Sequence, residues 1–182
     1  MNLPNKLSLV RVCLIPVLVA LLYVNSDVCR WLAIAVFGIA SFTDFLDGHI
    51  ARSRGLVTDF GKFVDPLADK LLVLCALIMM CYRQTMLSWV VCVILARELA
   101  VDGLRMIAVG KGQVIAAGKL GKLKTVSQMI LILWQLFWNR PVLMSPITGN
   151  LPGLILTVWV VVITLWSGVD YFRRNSSFLK DM

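Results

Sequence analysis

Asp44-Phe45-Leu46-Asp47-Gly48-His49-Ile50-Ala51-Arg52, followed by Gly61-Lys62-Phe63-Val64-Asp65-Pro66-Leu67-Ala68-Asp69, sets four aspartates into an otherwise apolar stretch. The sequence on either side reads as membrane-spanning helix. A carboxylate at membrane depth is costly unless it is paired, hydrated or bound to a cation, so such a residue marks a functional site by default. Asp44 and Asp47 are three apart and Asp65 and Asp69 four apart, so each pair shares one helix face. Four carboxylates brought together repel, and most would protonate in a low dielectric. A divalent cation removes that conflict, and hard oxygen ligands favour Mg²⁺ or Mn²⁺. Four carboxylates suffice for two ions, an arrangement suited to clamping a phosphoryl group.

The composition agrees with a membrane setting. Of 182 residues, 59% are hydrophobic and 15% charged, against roughly 45–50% and 25% in soluble domains; the mean hydropathy is +0.85. The length suits a single domain over 1–182. In so apolar a chain the net charge of +8 reads as basic flanks meeting anionic headgroups, not as a nucleic-acid surface. Cys13, Cys29, Cys75, Cys81 and Cys92 have no metal or disulfide spacing and read as small apolar filler. Lys6 and Arg11 before an apolar stretch imitate a signal peptide, but Tyr23-Val24-Asn25-Ser26 offers no small-x-small cleavage site. The stretch reads as an uncleaved first span.

Runs of about 20 apolar residues predict six spans, at Leu7–Tyr23, Trp31–Ala51, Phe60–Tyr82, Leu87–Val109, Thr125–Trp138 and Gly153–Phe172. Turn residues separate them: Asn25-Ser26-Asp27, Ser53-Arg54-Gly55, Gly110-Lys111-Gly112, and Arg140-Pro141 through Pro152-Gly153. One set of ends holds most of the Lys and Arg residues, among them Lys6, Arg11, Arg52, Arg54, Lys111, Lys119, Lys122, Lys124, Arg173 and Arg174, while the other holds Arg30, Arg83 and Arg140. The positive-inside rule places both termini in the cytoplasm. The expectation is an all-α, polytopic membrane protein whose four aspartates lie in the cytoplasmic half and face one another.

The complete pattern is Asp-x2-Asp-Gly-x2-Ala-Arg-x8-Gly-x3-Asp-x3-Asp, eight fixed positions from Asp44 to Asp69. A chance match is on the order of one in a billion at ordinary residue frequencies. Gly48 and Gly61 inside helices either allow close helix packing or open space for a phosphate group. Arg52 carries a guanidinium able to grip a diphosphate bidentately. This pattern resembles the signature of the CDP-alcohol phosphatidyltransferase family. The resemblance implies six spans, a cytosolic site and a homodimer. It implies Asp44, Asp47 and Asp65 as metal ligands, with Asp69 both close to the metals and the proton acceptor. It also implies a CDP pocket lined by Asp44, Asp47, Gly48, Ala51, Arg52 and Gly61. His49 takes a variable position and receives no role. An intramembrane ion or proton carrier is the reading from another class, but it would spread carboxylates across the bilayer depth.

The signature leaves the acceptor alcohol open. Arg97 and Arg105 share one face of the fourth span at i and i+8, near Glu98 and Asp102, and Lys122 and Lys124 open the fifth. Two readings stand: cations gathered for a second substrate with its own phosphate, or a helix-internal pairing network with positive-inside anchors. The segments Ala96-Arg97-Glu98-Leu99, Gly103-Leu104-Arg105, Gly121-Lys122-Leu123-Lys124-Thr125-Val126-Ser127-Gln128 and Leu3-Pro4-Asn5-Lys6-Leu7-Ser8-Leu9-Val10-Arg11, with Pro16 following, are similar to those of bacterial family members that make phosphatidylglycerophosphate. Ser8 stands where such sequences often have Thr. The resemblance implies CDP-diacylglycerol as donor and glycerol 3-phosphate as acceptor, in the bacterial cytoplasmic membrane. A cardiolipin synthase or an inositol-phosphate transferase shares the same motif, and acceptor-side residues separate them.

Overall fold

A computed structural model describes residues 3–24, 26–54, 59–110, 118–139 and 150–175, with side-chain surroundings for 9–24, 26–43, 67–110, 118–139 and 150–175. The described residues form six α-helices and no strand: α1 (Leu3–Tyr23), α2 (Asp27–Arg54), α3 (Asp59–Tyr82), α4 (Ser88–Gly110), α5 (Lys119–Trp138) and α6 (Leu151–Arg174). Each expected span corresponds to one helix. The largest boundary shift is at α5, which begins six residues before Thr125. Its first turns, Lys119-Leu120-Gly121-Lys122-Leu123-Lys124, contain lysines and leucines that propagate a helix well, although their charge hides them from a hydropathy count. Asp27 opens α2, bonded to Arg30 at 3.0 Å, and its charge suits the positive end of the helix dipole. Asn150 caps α6 by accepting from the Gly153 amide at 2.9 Å.

The helices gather into two compact units. In the first, α1 packs along both α2 and α3. Its buried stripe is Arg11, Ile15, Leu18 and Leu22, spaced 4, 3 and 4 as one helix face requires. The facing stripes are Ala33, Phe37 and Ala40 on α2, and Ala68, Leu72, Ala76 and Met80 on α3. Arg11 bonds Asp69 midway along α1 and α3, whereas Tyr23 and Tyr82 stack at 5.4 Å at their ends. The two helices therefore run in the same direction. The last turns of α5 join this unit, where Phe137 meets Trp31 edge-on at 5.7 Å and Gln135 donates to the Thr85 carbonyl.

The second unit contains α4, residues 119–131 of α5, and α6. The buried face of α6 is Gly153, Thr157, Val160, Ile163, Thr164, Ser167, Gly168 and Tyr171, while Ile155, Val158, Val162, Leu165, Trp166 and Val169 are exposed. Small and polar residues predominate on the inward face and large apolar ones on the outward face. That is the reverse of a water-exposed helix and the usual pattern where helices pack within lipid. Among the described residues, α6 alone is long and apolar enough to cross a membrane by length and composition. The aspartates, lysines and arginines within α2 to α5 lower their hydropathy.

Candidate active site

In the first unit the site is anchored by Asp69. It lies one residue past the buried Ala68 of α3, at the edge of the packed face, with 34% of its side chain exposed. Arg11 reaches it from α1, where Nη1 donates to Oδ1 at 2.9 Å. Arg11 is 2% exposed, and an arginine withdrawn from solvent must be paired. Positive-inside counting treated it as a flanking charge, but it lies in the buried stripe of α1. Its spacing of four from Ile15, followed by Leu18 and Leu22, was the signal in the sequence.

Asp44 and Asp47 lie on α2, and Asp65 one turn before Asp69 on α3. Their side chains, with those of Gly48, Ala51, Arg52 and Gly61, fall outside the residues whose surroundings are described. Among the described residues no three carboxylate, imidazole or thiol groups come together, since only Asp69 of the four is among them. What is described there is one oxygen donor, still reachable from outside, whose carboxylate is paired with a buried arginine.

The second unit buries a charged cluster. Glu98 of α4 accepts from Arg97 Nη1 at 3.4 Å, and its Oε1 also accepts from Lys124 Nζ of α5. The three side chains are 13%, 11% and 4% exposed. Glycines make room for Arg97. A Cβ at Gly168 would stand 3.2 Å from its Cγ, and one at Gly121 would stand 3.9 Å from its Nη2. Arg105, two turns along α4, donates from Nε to the Tyr171 hydroxyl at 3.1 Å, its guanidinium 5.5 Å from the ring centre. Lys122 is exposed, because two residues on a helix differ by about 200° and Lys124 takes the inner face. The structure therefore brings Arg97 and Lys124 together on Glu98 and sets Arg105 on Tyr171. Sequence reading passed over Tyr171; a lone tyrosine in register with Thr164, Ser167 and Gly168 on an apolar helix was the available signal.

Three buried polar atoms of this unit have no hydrogen-bond partner among the described residues: Arg97 Nε, Gln128 Nε2 and Thr164 Oγ1. Gln128 lies one turn after Lys124, and Thr164 one turn before Gly168. Unsatisfied buried donors of this kind are costly to leave unmade. Two cationic side chains and these donors suit a small ligand rich in acceptor oxygens.

Comparison with known proteins agrees with this chemistry. The sequence profile of the family described as CDP-alcohol phosphatidyltransferase matches residues 1–169. The chain belongs to that family of transferases. It is 42% identical over 192 aligned residues to a protein of Bacillus subtilis (strain 168), covering 98% of this chain and 97% of the relative. It is 37% identical to one of Rickettsia typhi, covering 97% and 98%. With one of Escherichia coli (strain K12) it shares 35%, covering 99% and 98%. All three relatives are named CDP-diacylglycerol–glycerol-3-phosphate 3-phosphatidyltransferase.

Proposed function

We propose that this protein transfers the phosphatidyl group of CDP-diacylglycerol to the 1-hydroxyl of sn-glycerol 3-phosphate, releasing CMP and forming phosphatidylglycerophosphate. The donor half is supported by family membership and by the complete signature from Asp44 to Asp69. The acceptor half is carried by one observation, the burial of Arg97 and Lys124 around a single carboxylate. A neutral acceptor would not repay two desolvated cations, whereas a phosphate monoester pairs with both. The names of the full-length relatives point to the same acceptor.

Asp44, Asp47, Asp65 and Asp69 would hold two Mg²⁺ or Mn²⁺ ions. Bound there, the ions would neutralise the donor diphosphate and stabilise charge on the departing CMP. Arg52 grips the diphosphate, and Gly48, Ala51 and Gly61 leave room for the CDP. Asp69 accepts the proton of the 1-hydroxyl as that oxygen bonds to the lipid-linked phosphorus and the bond from phosphorus to CMP breaks. Arg97, Arg105 and Lys124 hold the acceptor phosphate, whereas Lys122, exposed on another side of α5, lies apart from them. Positioning and electrostatics supply most of the acceleration, as in phosphoryl transfer generally.

All six helices span the bacterial cytoplasmic membrane, with both termini and the site on the cytoplasmic side and the chain acting as a homodimer. The outward large apolar residues of α6 and the common direction of α1 and α3 support this topology. The test is purified protein in mixed micelles with CDP-diacylglycerol, Mg²⁺ and separate acceptors: glycerol 3-phosphate, phosphatidylglycerol, inositol phosphate and serine. CMP release with glycerol 3-phosphate alone is expected. Equal release with another acceptor overturns the assignment.

A further inference from the structure

The side chain of Arg11 has a position that maintaining the fold does not require. Among the described residues, the α1 stripe that carries it otherwise consists of Ile15, Leu18 and Leu22. An apolar residue at that place would pack on α3 without the desolvation cost of a guanidinium, and replacing buried ion pairs by apolar groups is often neutral or stabilising. The chain instead spends a 2%-exposed arginine on an aspartate that is 34% exposed. Asp69 could take hydration for itself, so burial of the carboxylate does not explain the pair.

The geometry of a carboxylate does. Rotation about its Cβ–Cγ bond is broad, so the direction in which an aspartate offers its oxygens is set by its neighbours. Arg11 is immobilised by the packing of α1 on α3, and its Nη1 holds Oδ1 at 2.9 Å. That charge-assisted bond fixes one oxygen and with it the plane of the whole group. We infer that Arg11 is the positioning residue of the transfer reaction, aiming the Asp69 carboxylate for proton acceptance from the attacking hydroxyl. This rests on the phosphatidyl-transfer reading above. It predicts an effect on the chemical step and little on substrate capture, because Arg11 acts through Asp69.

The experiment compares wild type with Arg11→Met, Arg11→Lys, Asp69→Asn and the double variant Arg11→Met/Asp69→Asn, each checked for folding by gel filtration in detergent. Arg11→Met should lower kcat of CMP release by roughly 10- to 100-fold, as expected for a misdirected catalytic group. The KM for glycerol 3-phosphate should change less than about threefold. Arg11→Lys, which keeps the charge but loses the planar fork, should recover part of kcat. The double variant should be no slower than Asp69→Asn, since contacting residues that act as one unit are not additive. Mn²⁺ binding followed by electron paramagnetic resonance should be retained in Arg11→Met. Wild-type kcat in Arg11→Met overturns the inference, as does an additive loss in the double variant or a loss of Mn²⁺ binding parallel to turnover. Should Arg11→Met fail to fold, the Lys variant decides: unchanged kcat there overturns the directional role. Failure of wild type itself to release CMP with glycerol 3-phosphate would count against the proposed function instead.

Discussion

Lys124 of α5 places its ammonium on the carboxylate of Glu98 of α4, and the two side chains are 4% and 13% exposed. The pair closes α5 on α4 and keeps a cation indoors at the same time. Removing one partner of a buried pair typically costs about 3–5 kcal/mol, because the other charge is left uncompensated. Lys124→Ala leaves Glu98 paired with Arg97 and should lower the thermal midpoint in detergent, and Glu98→Gln should lower it further, since two enclosed cations are then left facing a neutral amide. The double variant Glu98→Gln/Lys124→Met should regain much of that stability and still respond poorly to glycerol 3-phosphate. A double variant with normal acceptor saturation would make the pair purely structural.

Gly168 and Gly121 both border Arg97, at different tightness, and the two should respond differently to the same change. The 3.2 Å approach at Gly168 is to an arginine Cγ, close to the backbone of α4, so the side chain has little freedom to retreat. Gly168→Ala should cost about 1–3 kcal/mol, the usual range for overpacking, and should weaken acceptor binding by displacing Arg97. At Gly121 the 3.9 Å contact is ordinary, and alanine favours the helix by up to about 1 kcal/mol. Gly121→Ala should be neutral or stabilising. Thermal unfolding with and without glycerol 3-phosphate measures both.

Arg105 is presented by Tyr171, which lends it a hydroxyl acceptor and a ring face. Each charge-assisted bond to a phosphate is worth about 1.5–3 kcal/mol. Arg105→Ala should thus raise the half-saturating glycerol 3-phosphate concentration roughly 10- to 150-fold at 1.4 kcal/mol per decade. Tyr171→Phe keeps the ring and loses one neutral acceptor, worth about 0.5–1.5 kcal/mol, so its rise should be about 2- to 12-fold. Saturation by CDP-diacylglycerol should barely move in either. A donor shift as large as the acceptor shift would remove these two residues from the acceptor side.

The helices were legible because each is an apolar run closed by turn residues, as Asn25 to Asp27 and Gly110 show. The lysine-rich start of α5 was not, since hydropathy cannot tell a charged helical turn from a loop. The signature aspartates were legible as a motif, and of the four Asp69 is the one whose side-chain surroundings are described. Pairing across helices was much less visible. Arg11 with Asp69 are 58 residues apart and Arg105 with Tyr171 are 66 apart. No local period links such partners; packing of α1 on α3 and α4 on α6 creates them.

The signature itself yields the sharpest test, because its aspartates have two separable duties. As proposed, Asp44, Asp47 and Asp65 would hold charge for cations, and Asn keeps their shape while removing that charge. Substituting even outer-sphere partners of a metal costs about 10–100-fold, so each Asn variant should lose more than this in CMP release and should bind Mn²⁺ weakly. Asp69→Asn should behave differently. One lost ligand of several need not empty the site, so donor binding, read as thermal stabilisation by CDP-diacylglycerol, should stay nearly normal. Turnover should fall by about 10²–10⁴-fold, the usual contribution of a positioned general base. If donor stabilisation and turnover fall together in Asp69→Asn, that residue is chiefly a ligand and the proton leaves by another group. Near-normal turnover in Asp44→Asn, Asp47→Asn or Asp65→Asn would remove the cation site altogether.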